Sequence, residues 1–145
     1  MARVKLTLPE TWLFRTAMPL RITDINYGGH LGNDAVLGLV HEARVRFYRA
    51  LGGSEMDLGG AATIMTDAIV VFRAQGLYGM TLEIKIAVAD FTATGCDLYY
   101  QLHDLDSGRE IARVKTGIAF FDYQRGRPVP IPAAFRGKVA SMPAL

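Results

Sequence analysis

The sequence predicts an α+β fold in which one long helix lies against an antiparallel sheet of five to six strands. Two observations lead to this prediction. Helical periodicity covers a single stretch, from Asn33 to Leu51, and four segments of strand-like composition follow it between Ala62 and Tyr123. The chain has 145 residues, of which 50% are hydrophobic, so we expect one domain, residues 1–145, with one packed core.

Two segments before the helix alternate polar and apolar residues and are predicted to be strands. They are Arg3 to Leu8 and Phe14 to Ile22. Pro9 and Pro19 break these strands or confine them to a sheet edge, because proline cannot donate a hydrogen bond to a neighbouring strand.

The loop that follows, Thr23 to Gly32, is rich in residues that tolerate positive φ. It contains Asn26 and the three glycines Gly28, Gly29 and Gly32. Because glycine lets a backbone approach a ligand closely, we predict a loop of defined shape that can contact a ligand.

The predicted helix begins at Asn33, a competent N-cap residue, and stops before Gly52-Gly53. Its apolar stripe has the spacing of one helix face. The stripe consists of Val36, Val40, Ala43, Phe47 and Leu51.

The four segments after the helix are predicted to form consecutive strands of an antiparallel meander. They are Ala62 to Phe72, Thr81 to Phe91, Cys96 to Asp104 and Glu110 to Tyr123. A proline-rich tail ends in a predicted short helix from Ala133 to Val139. A sheet wrapped around one helix is the hotdog arrangement, and its two uncovered edges predict a dimer that joins sheets edge to edge.

Composition excludes several classes of protein. The formal net charge of +2 is too small to neutralise nucleic-acid phosphates, and no run of about 18 apolar residues could span a membrane. Cys96, the single cysteine, cannot form an internal disulfide, and no Cys/His cluster has zinc-ligand spacing. We therefore expect a cytoplasmic protein with no metal and no cofactor.

The 24-residue run DINYGGHLGNDAVLGLVHEARVRF, which starts at Asp24, resembles the loop and helix of 4-hydroxybenzoyl-CoA-thioesterase-like hotdog enzymes. Their pattern often reads D-x-D-x-x-G/Q-H-x-N-N, followed by a helix that contains E-A-R and ends in L-G. The matching residues here are Asp24, His30, Asn33, Glu42, Ala43, Arg44 and Leu51-Gly52. The resemblance implies hydrolysis of acyl-CoA or acyl-carrier thioesters, without a metal, at sites shared between subunits of a dimer or tetramer.

One position departs from the family pattern. The family's catalytic carboxylate is normally the second acidic residue of D-x-D, and this chain has Asn26 there. Asparagine can orient a carbonyl group or a water molecule, but it cannot accept a proton as a general base at neutral pH. The sequence leaves Asp24, His30, Glu42 and Asp67 as candidates for the base.

Each candidate also has a structural interpretation. Glu42 could form an i, i+4 pair with Arg46, His30 could fix the turn, and Asp24 could bond to loop N–H groups. Asp67 lies in an apolar strand, where its charge requires a partner or an interface.

The predicted substrate contacts surround the same loop. The resemblance makes the backbone N–H of Asn33 the best donor to the oxyanion, since a helix N-terminus carries unpaired N–H groups and favours negative charge. Those N–H groups could instead be capped by the side chains of Asn33 or Asp34. Tyr27 could shape an acyl pocket, and Gly29 and Asp67 complete the predicted contacts.

The leading hypothesis is an acyl-CoA or acyl-carrier thioesterase that uses Asn26 to position water or substrate. The alternative is a hotdog protein that binds an acyl thioester, or another hydrophobic ligand, without turning it over. A hotdog dehydratase is a third hypothesis, but it would require a different His/Asp arrangement.

Overall fold

The computed structural model describes residues 2–145 and has the predicted α+β architecture. Its elements in chain order are β1 (Phe14–Pro19), α1 (Asn33–Ala50), β2 (Ala62–Phe72), β3 (Thr81–Ala89), β4 (Gly95–Asp104), β5 (Glu110–Asp122), β6 (Arg127–Pro128) and α2 (Ala133–Ser141). A short 3₁₀ turn, Ile22–Asp24, links β1 to the loop before α1.

The strands form one antiparallel sheet in the order β1-β3-β4-β5-β2, with β6 paired to β5. The predicted four-strand meander is therefore wrong for its first member, because β2 pairs with β5 and not with β3. The connection from β2 to β3 crosses from one side of the sheet to the other. Strand periodicity reports which face of a strand is buried, but it carries no information about such a long-range pairing.

The predicted strand from Arg3 to Leu8 is also wrong, since no strand precedes β1 in the described part of the chain. Side chains hold this segment instead: Arg3 donates to the carbonyl of Phe72 at 2.9 Å, and Arg113 donates to the carbonyl of Leu6 at 3.0 Å. The segment from Arg3 to Leu8 has the composition of a strand, but its backbone does not pair with another strand.

The helix begins one position earlier than an N-cap at Asn33 would require. Gly32 is the N-cap, with extended backbone angles, and Asn33 is the first helical residue. No side chain caps this end of α1. The prediction that Asn33 is the N-cap is therefore wrong by one residue, and the helix N-terminus stays open.

The predicted apolar stripe of α1 packs in the core against the sheet, and all five of its residues are buried. Alternate residues of the central strands face it. They include Leu82, Ile84 and Ile86 on β3 and Leu98, Tyr100 and Leu102 on β4. This single core fixes the position of the loop that leads into α1.

One edge of the sheet is formed by β2, an 11-residue strand that pairs with β5 on one side. Its middle is exposed, and the apolar side chains of Ile64, Met65 and Phe72 are among its exposed residues. Among residues 2–145, no helix has the length and apolar character needed to cross a bilayer.

Candidate functional site

The glycine-rich loop and the N-terminus of α1 form one wall of a cleft of about 800 Å³. The opposite wall consists of residues 72–75, at the C-terminal end of edge strand β2. Five of the predicted site residues line this cleft. They are Asp24, Asn26, Tyr27, His30 and Asn33.

The side chain of Asn26 holds the loop in shape. Its Oδ1 accepts hydrogen bonds from the N–H of Gly28 at 2.9 Å and of His30 at 3.3 Å. Its backbone N–H donates to the carbonyl of His30 at 2.8 Å. Gly29 has φ of 80°, which suits glycine at the tip of this turn. Because Oδ1 is engaged, the Nδ2 group of Asn26 is the end that can act on a ligand.

A close approach joins the two walls of the cleft. The N–H of Leu31 donates to the carbonyl of Gly76 at 2.8 Å. A Cβ on Gly76 would lie 2.9 Å from the Cβ of Leu31, so a larger residue at position 76 would push the walls apart. Glycine at this position therefore sets the separation of the walls.

The N-terminus of α1 offers unpaired backbone donors to the cleft. The N–H of Gly32 bonds to the carbonyl of Asp24 at 2.9 Å, and that of Ala35 bonds to the carbonyl of Gly32 at 3.1 Å. Within residues 2–145, the N–H groups of Asn33 and Asp34 have no acceptor. These two groups and the helix dipole favour negative charge at this point of the cleft.

Asp24 is buried, and its carboxylate is occupied. Oδ2 accepts the backbone N–H of Arg21 at 2.8 Å, and the guanidinium of Arg21 lies 3.4 Å from Oδ1. This arrangement closes the 3₁₀ turn before the loop. Asp24 lines the cleft but already has hydrogen-bond partners.

His30 and Tyr27 have free functional groups. The imidazole of His30 and the phenol of Tyr27 line the cleft, and neither forms a side-chain hydrogen bond within the described chain. Tyr27 is fully exposed in the single chain. An aromatic side chain held in water beside a cleft is available to a ligand or to a second subunit.

Glu42 lies outside this cleft. It borders a separate, smaller pocket and pairs with Arg46 at i, i+4 over 3.2 Å. Arg46 also donates to Thr16 at 2.8 Å, which ties α1 to β1. The single chain therefore does not bring Glu42 to the other candidates, and its catalytic role stays a prediction.

Asp67 also lies outside the cleft, at an irregularity in β2. Its carboxylate accepts hydrogen bonds from Lys115 at 2.8 Å and from the N–H of Gly117 at 3.0 Å. The hydrogen bond from Lys115 is the main reason that the pKa of Asp67 is lowered, although desolvation opposes it. Its role in substrate binding stays a prediction.

Sequence reasoning did not propose Asp34, Arg73 or Gln75 as functional side chains, yet all three line the cleft. An acidic residue in the first turn of a helix is common, so Asp34 gave no distinct signal. Arg73 and Gln75 join the site only because β2 ends beside the loop, which is a consequence of the long-range sheet pairing.

The described residues contain neither a cluster of metal ligands nor a reactive thiol. Residues 2–145 contain no group of three or more His, Cys, Asp or Glu side chains that could hold a metal ion. Cys96 is buried, and this burial raises the pKa of its thiol to about 12. The thiol therefore remains protonated at neutral pH.

The fold and the cleft define a hotdog-fold protein whose candidate site lies at the loop before its central helix. The family model of the thioesterase-like superfamily matches residues 20–139, which include both walls of the cleft. The chain therefore belongs to the thioesterase-like superfamily. Membership of this superfamily supports thioester hydrolysis as the general class of activity.

Three solved structures illustrate the likeness in fold. A 1,4-dihydroxy-2-naphthoyl-CoA thioesterase from Synechocystis is 17% identical with a TM-score of 0.80, over 91% of this chain and 97% of that one. A Thermus thermophilus thioesterase complexed with coenzyme A and Zn is 18% identical with a TM-score of 0.80, over 92% and 96%. A thioesterase-superfamily protein from Jannaschia is 18% identical with a TM-score of 0.80, over 92% and 85%. A comparison with curated proteins found no match.

Proposed function

We propose that this chain hydrolyses acyl thioesters of coenzyme A or of an acyl carrier in the cleft beside the N-terminus of α1. The observation that carries the proposal is the pair of unpaired N–H groups, of Asn33 and Asp34, on the wall of an 800 Å³ cleft. Hydrolysis of a thioester develops negative charge on the carbonyl oxygen, and such donors stabilise that charge most in the transition state.

The loop residues have separate tasks in this reaction. Asn26 uses Oδ1 to hold the loop and presents Nδ2 to the water or to the thioester carbonyl. His30 presents its imidazole to the same cleft. Tyr27 lines the space that the acyl group would occupy. Gly29 is not among the residues that line the cleft, and its contact with substrate stays a prediction.

Coenzyme A is the carrier that the cleft suits best. Arg73 lies on the wall opposite the loop, with its side chain half exposed, and its single ionic partner in the described chain is Glu110 at 3.2 Å. A guanidinium at the mouth of a cleft can bind a phosphate group through paired N–H donors. Two of the structurally similar proteins are named for an acyl-CoA substrate or for bound coenzyme A, which supports this choice.

A second copy of the chain would complete the site. Edge strand β2 is long and largely exposed, which is unusual for a strand that stays unpaired. It runs directly into residues 72–75 of the cleft wall. Pairing of two copies along β2 would cover Met65, which is 47% exposed, and would place partner residues beside the cleft.

The activity is tested by measuring free thiol released from short, medium, long-chain and aromatic acyl-CoAs. The wild type is compared with Asn26→Ala, His30→Ala and Glu42→Ala, and Glu10→Gln serves as a control at an exposed carboxylate remote from the cleft lining. We expect turnover of at least one substrate, and a fall of about a hundredfold in any variant that removes the base.

Oligomeric state is tested separately by light scattering during size-exclusion chromatography. We expect the wild type to elute as a dimer or tetramer. Met65→Lys should shift it toward the monomer, because a lysine on the edge strand opposes strand pairing. A wild-type monomer would contradict the shared site.

One observation favours the alternative, a protein that binds an acyl thioester without hydrolysing it. Asn26 stands where the family pattern has its carboxylate, and its amide cannot accept a proton as a general base at neutral pH. If calorimetry shows that the folded protein binds an acyl-CoA, and no thiol is released above background, the binding function replaces hydrolysis.

A further inference from the structure

Asp34 places an unbonded carboxylate in the cleft. It is the second residue of α1, its side chain is exposed, and it lines the same wall as Asn33. Within residues 2–145, no donor bonds to this carboxylate, whereas Asp24, the other carboxylate of the cleft lining, is bonded to Arg21. Asp34 is therefore the cleft carboxylate that is available to accept a proton.

The carboxylate folds back over Gly32 toward the loop. A Cβ built on Gly32 would lie 2.6 Å from Oδ1 of Asp34 and 3.6 Å from the Cβ of Asn26. Both side chains therefore lie close to Gly32, and the absence of a side chain at this position leaves room for the carboxylate of Asp34. Any other residue at position 32 would displace the carboxylate of Asp34.

The free end of the Asn26 side chain complements a carboxylate. Its Oδ1 is held by the N–H groups of Gly28 and His30, which leaves the two N–H bonds of Nδ2 as free donors. A water molecule between the two side chains could accept from Nδ2 of Asn26 and donate to Oδ1 of Asp34.

We propose, on the basis of the hydrolytic function above, that Asp34 is the general base of this site and that Asn26 positions the water that Asp34 activates. The carboxylate that the loop lacks at position 26 is supplied from the first turn of α1. His30 then acts on the substrate without accepting the proton of the attacking water.

The reaction balances with these groups. The water oxygen attacks the thioester carbonyl carbon while Oδ1 of Asp34 takes one water proton, and the carbonyl π electrons move to the oxygen beside the N–H groups of Asn33 and Asp34. When the tetrahedral intermediate collapses, the C–S bond breaks, and the electron pair leaves on sulfur. Asp34 returns its proton to the thiolate, and the carboxylic acid product ionises to solvent. The net change is acyl thioester plus water to carboxylate, thiol and one proton.

The first test moves the carboxylate between the two positions. Asp34→Asn should lower kcat about a hundredfold or more with little change in KM, because the amide cannot accept a proton. The double variant Asn26→Asp with Asp34→Asn should recover at least tenfold of that loss. An aspartate at position 26 can accept the same loop N–H bonds as the asparagine, so the loop is retained.

The second test moves the carboxylate without removing it. Gly32 has φ of −69°, which alanine adopts freely, so Gly32→Ala should fold while its Cβ displaces the side chain of Asp34. We expect a fall in kcat of about tenfold or more, and no such fall when Gly32→Ala is added to the relocated double variant. Gly38→Ala, on the open face of the same helix, is the matched control.

The outcomes separate this proposal from the hydrolytic function. If the wild type hydrolyses an acyl-CoA and Asp34→Asn keeps its kcat, Asp34 is not the base, and the hydrolytic function stands. A folded Asp34→Asn that is inactive but is not rescued by Asn26→Asp would also overturn the assignment. If the wild type binds acyl-CoA and releases no thiol, both proposals are overturned.

Discussion

Two buried tyrosines predict opposite effects from the same chemical change. Tyr48 and Tyr100 are both fully buried. The hydroxyl of Tyr100 lies 2.8 Å from Oγ1 of Thr116 and accepts from Arg44 at 3.4 Å, whereas the hydroxyl of Tyr48 has no hydrogen-bond partner. We therefore expect Tyr48→Phe to stabilise the fold and Tyr100→Phe to destabilise it.

The magnitudes follow from the hydroxyl groups. A buried polar group without a partner costs about 1–3 kcal/mol, so removing the Tyr48 hydroxyl should raise the free energy of unfolding by about 1 kcal/mol. Tyr100→Phe removes the hydrogen-bond partner of Thr116 and Arg44, and it should lower the free energy of unfolding by about 1–3 kcal/mol. Burial is the main cause that raises the pKa of both phenols, so both stay neutral, and the signs should not change between about pH 6 and 9.

Urea unfolding at one fixed protomer concentration measures both effects, because oligomerisation would make stability depend on concentration. The midpoints should move in opposite directions with unchanged m-values. Thermal midpoints should shift by about 2–4 °C per kcal/mol. If Tyr48→Phe lowers stability as much as Tyr100→Phe does, the Tyr48 hydroxyl has a partner, and the reasoning fails.

Three further predictions use other parts of the chain. Cys96 should resist aromatic disulfide reagents in the native protein and react within minutes in denaturant, because burial raises its pKa to about 12; rapid native reaction would contradict this. Gly38→Ala should stabilise the fold by about 1 kcal/mol in urea unfolding, since the position is an exposed helix interior with open space; a loss would show that the added methyl group meets a neighbour. Asp67→Asn should cost less than about 1 kcal/mol at pH 7, because the carboxylate is 59% exposed. The hydrogen bond from Lys115 lowers the folded pKa of Asp67, so the contribution of this carboxylate is present above the unfolded pKa and is lost as pH falls through the folded pKa. Wild type and variant should therefore converge in stability once the pH lies below the folded pKa.

The helix and the individual strands could be predicted from local sequence because their periodicity reports burial directly. The apolar stripe of α1 and the bounds of β2 are confirmed as predicted. The position of β2 beside β5 could not be predicted, because it depends on partners some 50 residues apart along the chain. The two-residue strand β6 was too short to have a pattern.

The candidate site was predicted where its residues are neighbours in sequence. Asp24, Asn26, Tyr27, His30 and Asn33 lie in one loop-helix segment, and the structure brings them to one cleft. Glu42 and Asp67 were candidates from the same reasoning, but they pair with Arg46 and Lys115 away from that cleft. The position of Asp34 depends on the missing side chain of Gly32, a three-dimensional relation that residue types alone do not reveal.

The hydrogen bond between Leu31 and Gly76 also provides a way to measure the opening of the cleft. The amide hydrogen of Leu31 is held by a carbonyl from the opposite wall, so it can exchange with solvent deuterium only when the two walls separate. Its exchange rate therefore reports the free energy of opening at this one place. A ligand that binds across both walls should slow that exchange, whereas a ligand bound elsewhere on the chain should leave it unchanged.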